Sequence, residues 1–394
     1  MKNIKMTIIK IQSEIFIWLI KLIYRVQPDT ILFQGKPDYG DNPRALSDYL
    51  LANGYTKKYK IYWLVSDKYD LSRKPEVENV EFFHLTNRFH FLKWRSYRIL
   101  LTSQYVFTSH AFKIPMHRGM KGQKYITLWH GCGYKNNEGD KLEFNRFFDM
   151  ALVPGPLFVE TKKKCWNTTA EYLLAKGYPR YDWLLNPTDS AVEFMSQFKK
   201  NGEKVIIWMP TYRNSTADNT LAENVITQFP LMSSDDDWKK LDEKCREKSV
   251  VMLVKLHMSQ RDYGMDFSSL TNVVRLSNAD FEKAGVQMYE FLALTDGLIS
   301  DYSSVAVDYL VVDKPLAFAL DDFELYNKAR GFVFDDPKKY MPGHHLYNVD
   351  GLCGFVADVA DGNDKHKEER RKMSEIGIYK SSNYCKEIVE SIGL

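Results

Sequence analysis

Ser303 and Ser304 follow the run Leu298-Ile299-Ser300-Asp301-Tyr302, which reads as a short buried strand that turns at Asp301 and enters a helix. Both hydroxyls then fall in a first helical turn, where backbone N–H groups lack intrahelical partners. Such a terminus suits an anion, usually a phosphate. A capped helix of no chemical consequence would look the same in isolation. Other residues fall at strand ends as well. Thr127-Leu128-Trp129-His130-Gly131-Cys132-Gly133-Tyr134-Lys135 predicts a strand that stops at Trp129 and displays His130 on a glycine-bearing loop. A histidine placed there suits general base catalysis, which contributes typically about 10²–10⁴ in rate.

Three further segments belong with these. Lys255-Leu256-His257-Met258 delivers a second histidine from another strand. Trp208-Met209-Pro210-Thr211-Tyr212-Arg213 is a strand that ends at proline and presents a hydroxyl and a guanidinium. Gly177-Tyr178-Pro179-Arg180-Tyr181-Asp182 contributes another arginine. Histidines, arginines, a threonine and a helix N-terminus form a set suited to hold a diphosphate and stabilise the charge of a departing nucleotide. The chain has no Walker loop, no GxGxxG fingerprint, no GxSxG elbow and no cluster of metal ligands, which disfavours P-loop kinases, nicotinamide enzymes and hydrolase triads.

The elements that must position these residues alternate between strand and helix, the pattern of parallel sheets with crossover helices. Strands are expected at 30–34, 60–66, 80–85, 105–109, 125–129 and 150–153, then at 204–209, 250–256, 272–276, 297–300 and 315–319. Helices are expected at 44–53, 88–101 and 157–166, with a linker helix over 189–202 and one charged amphipathic helix over 365–392. The polar stretch 214–238 reads as a mobile loop, and its Asp235-Asp236-Asp237 run as a solvated acidic surface rather than a metal site. The fold class is α/β: two doubly wound Rossmann-type domains facing across a cleft, with ligands at the carboxyl ends of the strands. Expected boundaries are 1–28 for an N-terminal amphipathic helix, 29–190 for an acceptor-side domain, 191–375 for a nucleotide-binding domain and 376–394 for a C-terminal helix at the junction.

A chain of 394 residues, 44% hydrophobic, has the length for two such domains. A formal charge of only +3 argues against nucleic acid as a partner. Cys132, Cys165, Cys245, Cys353 and Cys385 are odd in number and scattered, which fits reduced thiols rather than a disulfide framework. At the N-terminus, Ile4, Ile8, Ile11, Ile15, Leu19, Leu22 and Val26 recur at helical steps, with Lys10, Glu14, Lys21 and Arg25 on another face. The uncharged run is far short of the ~20 residues needed to span a bilayer. Two readings stay open for this helix: packing on the domain core, or lying in a membrane interface with Trp18 and basic residues at headgroup level. The basic-aromatic stretch Arg88, Phe89, Phe91, Lys93, Trp94, Arg95, Tyr97, Arg98 admits the same two readings.

In order along the chain, Gly35-Lys36-Pro37-Asp38-Tyr39-Gly40-Asp41-Asn42-Pro43, Trp129-His130-Gly131 with Lys135, Gly177-x-Pro-Arg180-x-Asp182, Pro210-Thr211-x-Arg213, His257, and Ser300-Asp301-Tyr302-Ser303-Ser304 with Asp308 resemble the CDP-glycerol glycerophosphotransferases. These are the teichoic acid primases and polymerases and related capsule enzymes. The resemblance implies a GT-B-like fold, phosphotransfer without metal or other cofactor, and peripheral attachment to the cytoplasmic face of the membrane. It implies His130 as the base, with Gly131, Cys132, Gly133, Tyr134 and Lys135 in a donor-contacting loop. Arg180, Pro210, Thr211, Arg213, Lys255, Leu256, His257, Asp301, Ser303, Ser304 and Asp308 are the further site positions, His257 sharing the catalytic role. Cys132-Gly133 and Met258 depart from the family's usual residues, and both lie beside the reacting group.

The expected activity is transfer of glycerol phosphate from CDP-glycerol to a hydroxyl of a membrane-linked acceptor, a polyprenyl-diphosphate disaccharide or a growing polyol-phosphate chain, with release of CMP. A CDP-ribitol phosphotransferase of the same family is an alternative. So is a sugar-nucleotide glycosyltransferase or epimerase of the same shape, with Asp321 or Glu324 holding the ribose. A non-catalytic membrane scaffold is the third class.

Overall fold

The computed structural model describes residues 2–87, 91–110, 120–136, 147–210, 229–256 and 267–394, with the side chains of residues 2–6 excepted. Runs such as Ile31-Leu32-Phe33 and Val205-Ile206-Ile207 are fully buried along consecutive positions, as strands covered on both faces must be. They belong to two parallel sheets. Among the described residues the first holds β1 (Gln27–Gln34), β2 (Lys60–Val65), β3 (Val80–His84), β4 (Ser103–Thr108), β5 (Lys124–Thr127), β6 (Met150–Leu152) and β7 (Leu173–Leu174), in the order β3-β2-β1-β4-β5-β6-β7. The second holds β8 (Lys204–Trp208), β9 (Val250–Lys255), β10 (Val273–Leu276), β11 (Gly297–Ser300), β12 (Leu316–Ala319) and β13 (His344–Leu346), in the order β10-β9-β8-β11-β12-β13.

In each sheet the strand order reverses once, between β1 and β4 and between β8 and β11. A crevice opens outside the carboxyl ends of the strands at such a reversal, because the two crossovers leave in opposite directions. The segments after β1 and β5 in one domain lie beside the turn after β11 in the other, through Asp41–Arg180–Asp308 and the Gly131–Ser304 approach.

The chain returns to the first domain at its end. Where one helix over 365–392 is expected, there are two, Lys367–Gly377 and Tyr384–Ile392. The break comes at Ile378, which is extended; Tyr379 N donates to Pro154 O at 2.7 Å instead of to a helical carbonyl. Asn383 then caps the second helix, its side chain accepting from Lys386 N at 2.9 Å. That helix is fixed to the first domain by Tyr384 N and Cys385 N, which donate to the Asp182 carboxylate at 2.7 and 2.9 Å. A second departure concerns 214–238. Residues 214–228 lie outside the described ones, but Asp235-Asp236-Asp237 forms the first turn of the helix Asp235–Glu247 behind a Ser234 capping box. Three carboxylates suit that position because they face the positive end of the helix dipole.

The N-terminal helix Lys2–Ile23 packs on the first domain through Ser13, Ile17 and Ile20. Phe16 meets Trp94 edge-on at 5.0 Å, and Gln12 exchanges two hydrogen bonds of 3.0 Å with the backbone of Leu92. The predicted stripe lies on a different face. Ile8, Ile11, Ile15, Trp18 and Leu22 are 44–66% exposed, an apolar row in steps of three and four that none of the described residues covers. Among the described residues no helix is long and apolar enough to cross a membrane. All five cysteines are buried and free.

Candidate active site

β5 ends two residues before Trp129, which takes a left-handed φ of 54°, and Gly131 follows at 130°. The chain thus turns sharply on either side of His130, which stays exposed at the cleft as a residue while its ring is packed. Asn42 steadies this turn from the segment after β1, donating to Leu128 O at 3.3 Å and Trp129 O at 2.8 Å. His130 Nδ1 lies 3.1 Å from Ser109 O, the first residue after β4. A carbonyl only accepts, so Nδ1 carries the hydrogen and Nε2 keeps the lone pair, the tautomer a base needs. The ring is sandwiched between Trp129 and His110, each with its centroid 4.2 Å away. The packed cleft floor, and after it the like charge of His110, hold the His130 pKa well below the usual histidine range.

Arg180 sits behind this loop, 3% exposed. Its Nη1 meets Asp41 Oδ1 at 2.6 Å, and its Nη2 meets both His130 O at 3.2 Å and Asp308 Oδ2 at 2.5 Å. Tyr181 and Tyr289 donate to the same Asp308 carboxylate at 2.5 and 2.6 Å. Asp308 belongs to the second domain and Arg180 to the first, so these side chains form a buried polar joint between them. Arg180 and Asp308 spend their charge on each other and on Asp41 rather than presenting it to the cleft.

The second domain meets His130 through the turn after β11. The helix there is a single turn, Val305–Asp308, continued as a 3-10 turn over Tyr309–Val311. Few peptide dipoles therefore line up behind Ser303 and Ser304, and the half-buried hydroxyls supply more of the local polarity than a long helix would leave to them. The loop after His130 lies directly on this turn. A Cβ at Gly131 would come within 2.2 Å of Ser304 Oγ, and one at Gly133 within 2.9 Å of Ser304 N. Beyond them the chain is pinned to a second-domain segment by Val333 N→Tyr134 O at 2.9 Å and Asn136 N→Gly331 O at 3.1 Å, with Lys135 bridged to Phe332.

The remaining predicted positions divide. Cys132 is buried and accepts from Tyr178 Oη at 3.2 Å; Tyr134 packs edge-on against Phe318. Both side chains thus point away from the cleft, because alternate residues of the loop serve the core. Asp301 is fully buried beneath the serine turn. Pro210 and Leu256 are buried at their strand ends. Lys255 is 7% exposed, donates to Asn278 Oδ1 at 2.8 Å, and has its pKa pushed down to about 8 by burial. Thr211, Arg213, His257 and Met258 lie outside the described residues. Sequence reasoning missed Ser109 and His110, the residues that hold His130, and gave no role to Asp41 and Asn42. Ser109 and His110 fall just past β4, and Asp41 and Asn42 open the helix Asp41–Ala52 that follows β1, so all four stand at the β1/β4 reversal.

Asp321 and Glu324 line a separate cavity of about 560 Å³ after β12 and β13, together with Phe229, Phe323, Lys338 and Tyr347. Asp321 accepts there from Leu231 N at 3.1 Å.

Residues 16–392 match the family model of the CDP-glycerol:poly(glycerophosphate) glycerophosphotransferases. The chain is 24% identical over 376 residues to a teichoic acid poly(glycerol phosphate) polymerase of Staphylococcus epidermidis, covering 87% of this chain and 47% of that protein. It is 24% identical over 323 residues to a teichoic acid ribitol-phosphate polymerase of Staphylococcus aureus, covering 76% and 53%. The chain therefore spans about half the length of these two curated relatives. Its fold superposes on the solved wall teichoic acid polymerase TagF with a TM-score of 0.75 at 20% identity, over 100% of this chain and 95% of that one.

Proposed function

The chain belongs to the CDP-glycerol:poly(glycerophosphate) glycerophosphotransferase family, and from that premise we propose that it transfers an alditol phosphate from a CDP-alditol to a hydroxyl of a membrane-linked acceptor. The observation that carries this reading is the tautomer of His130: Nδ1 is tied to Ser109 O, and Nε2 is left with its lone pair at the cleft. The acceptor hydroxyl gives its proton to that nitrogen, and its oxygen attacks the phosphorus bearing the alditol. The bond to the bridging oxygen breaks, and CMP leaves with that oxygen. Ser303 and Ser304, pressed against the His130 loop, supply uncharged donors to the diphosphate, which suits a site that must release its nucleotide. His257, Thr211, Arg213 and Lys255 complete the donor site in this reading.

The donor is CDP-glycerol, with CDP-ribitol the competing substrate, since the relatives carry names of both kinds. The enzyme works peripherally at the cytoplasmic face of the membrane. Supporting this are the uncovered row Ile8, Ile11, Ile15, Trp18 and Leu22 and the exposed Lys21 and Arg25 beside it, the composition of a helix that lies in an interface.

The test is CMP release by purified protein given CDP-glycerol and CDP-ribitol in parallel, with a lipid-linked disaccharide or polyol-phosphate oligomer as acceptor. Acceptor-dependent CMP from one donor is expected, reduced about 10²-fold or more in His130→Ala. No CMP from either donor by folded protein would overturn the reading and point to a sugar nucleotide.

A further inference from the structure

Two histidines lie face to face at the reversal of the first sheet. The rings of His110 and His130 are stacked at 4.2 Å with only 6° between their planes. They arrive from different strands, His110 two residues past β4 and His130 three past β5. Between them Ser109 touches both: its carbonyl takes the His130 Nδ1 hydrogen at 3.1 Å, and its hydroxyl meets His110 Nδ1 at 2.9 Å. Ser109 is itself fixed, since its N–H donates to Gln34 O at 3.2 Å and its hydroxyl accepts from Lys36 N at 3.1 Å.

We propose that His110 is a positioning residue for His130: it clamps the imidazole by its face while Ser109 holds it by its edge, so that Nε2 is presented to the cleft at a fixed angle. The proposal rests on the reading of His130 as the base. A ring held only by one edge hydrogen bond swings about that bond, and a base displaced by about 1 Å loses roughly 10²-fold in rate. The flat stack removes that freedom, with Trp129 closing the opposite face at 4.2 Å.

The stack has an electrostatic consequence as well. Two imidazolium ions at this separation repel, so the pair takes up its protons in two separated steps. The charged groups acting on the pair are Asp41, which favours the protonated forms, and Arg180 and, for His110, Lys36, which oppose them. Burial lowers both histidines, and His110 lowers His130 further. When His110 holds the first proton, His130 stays neutral and able to act.

The test compares His110→Phe, which keeps a flat ring without charge, with His110→Ala, which removes the ring. Transfer kinetics and the titration of His130 by NMR of histidine-labelled full-length protein are read together, His130→Ala assigning the signal. In His110→Ala, kcat falls about ten- to a hundredfold while donor KM stays within about twofold. In His110→Phe, kcat above pH 8 stays within about threefold of the parent, because the clamp survives. In both variants the His130 titration moves to higher pH. A His130 titration and acid limb unchanged in both would overturn the proposal, as would full kcat in His110→Ala. If the parent protein transfers nothing from either CDP-alditol, the function reading fails, while the NMR titration in His110→Phe still decides whether His110 controls His130.

Discussion

Arg180 Nη2 stands 2.5 Å from Asp308 Oδ2, and both side chains are almost wholly buried between the two domains. The pair joins a residue three positions after the turn at Gly177 to one at the end of the helix that follows the serine turn. Asp41 on the other side of the guanidinium balances its second branch. The domains are thus joined beside the His130 loop, whose carbonyl the same guanidinium meets.

Asp308 is the buried acceptor shared by Arg180, Tyr181 and Tyr289, so removing its charge weakens three hydrogen bonds at once, while Asp41 still faces the guanidinium. Asp308→Asn should lower unfolding free energy by about 3 kcal/mol or more, measured by urea denaturation. Tyr181, Tyr289 and Arg180 would each lose their charged acceptor, so the loss should exceed that of a surface ion pair such as Lys239–Asp236. A loss under about 1 kcal/mol would mean the joint is no tighter than a surface pair.

The two glycines after His130 should behave differently. Gly131→Ala puts a Cβ against the Ser304 side chain, whereas Gly133→Ala puts one against Ser304 and Ser303 backbone. Each should cut kcat/KM by about tenfold or more by pushing the serine turn away from His130. Adding Ser304→Gly should restore part of the Gly131→Ala loss and none of the Gly133→Ala loss. Equal rescue of both would show that the close approach is not what limits them.

The N-terminal helix has separable faces. Trp18→Ser with Leu22→Ser should abolish sedimentation with anionic vesicles while leaving the thermal midpoint unchanged, since both residues are 66% exposed. Ile20→Ala on the packed face should cost about 2–4 kcal/mol, since Ile20 is fully buried. Vesicle binding that survives the first pair of substitutions would place the membrane contact elsewhere.

Four histidines, His110, His130, His344 and His345, are held below the usual histidine range, in each case chiefly by burial. Unfolding frees them to bind protons at about pH 6.5, so the unfolded chain carries more protons than the folded one below that point. Their contribution to stability is complete above roughly pH 6.5 and is lost as pH falls through the folded values. Urea midpoints should therefore decline between about pH 7 and 5, and the decline should shrink in His110→Phe.

Much of the layout was readable because parallel strands buried on both faces advertise themselves as continuous apolar runs. Those at 60–66 and 250–256 fall within a residue of β2 and β9. β7 and β13 were not readable: Leu173–Leu174 and His344–Leu346 are too short to show a period, and only their neighbours make them strands. His130 stood out through its flanking glycines, while His110 carried no local mark. Its meaning comes from a partner 20 positions along the chain, brought near by the pairing of β4 with β5. The role of Asp41 is hidden in the same way, since its partner Arg180 lies 139 positions away.

The main-chain pairing of the 134–136 loop with 331–333 has a calorimetric consequence. The protein's own contacts already bring the domains together there, so this seam has no further surface to cover when a nucleotide enters. The heat-capacity change of donor binding should then reflect the apolar area of the ligand and of the lining it covers, smaller than for an enzyme that must also shut around its substrate.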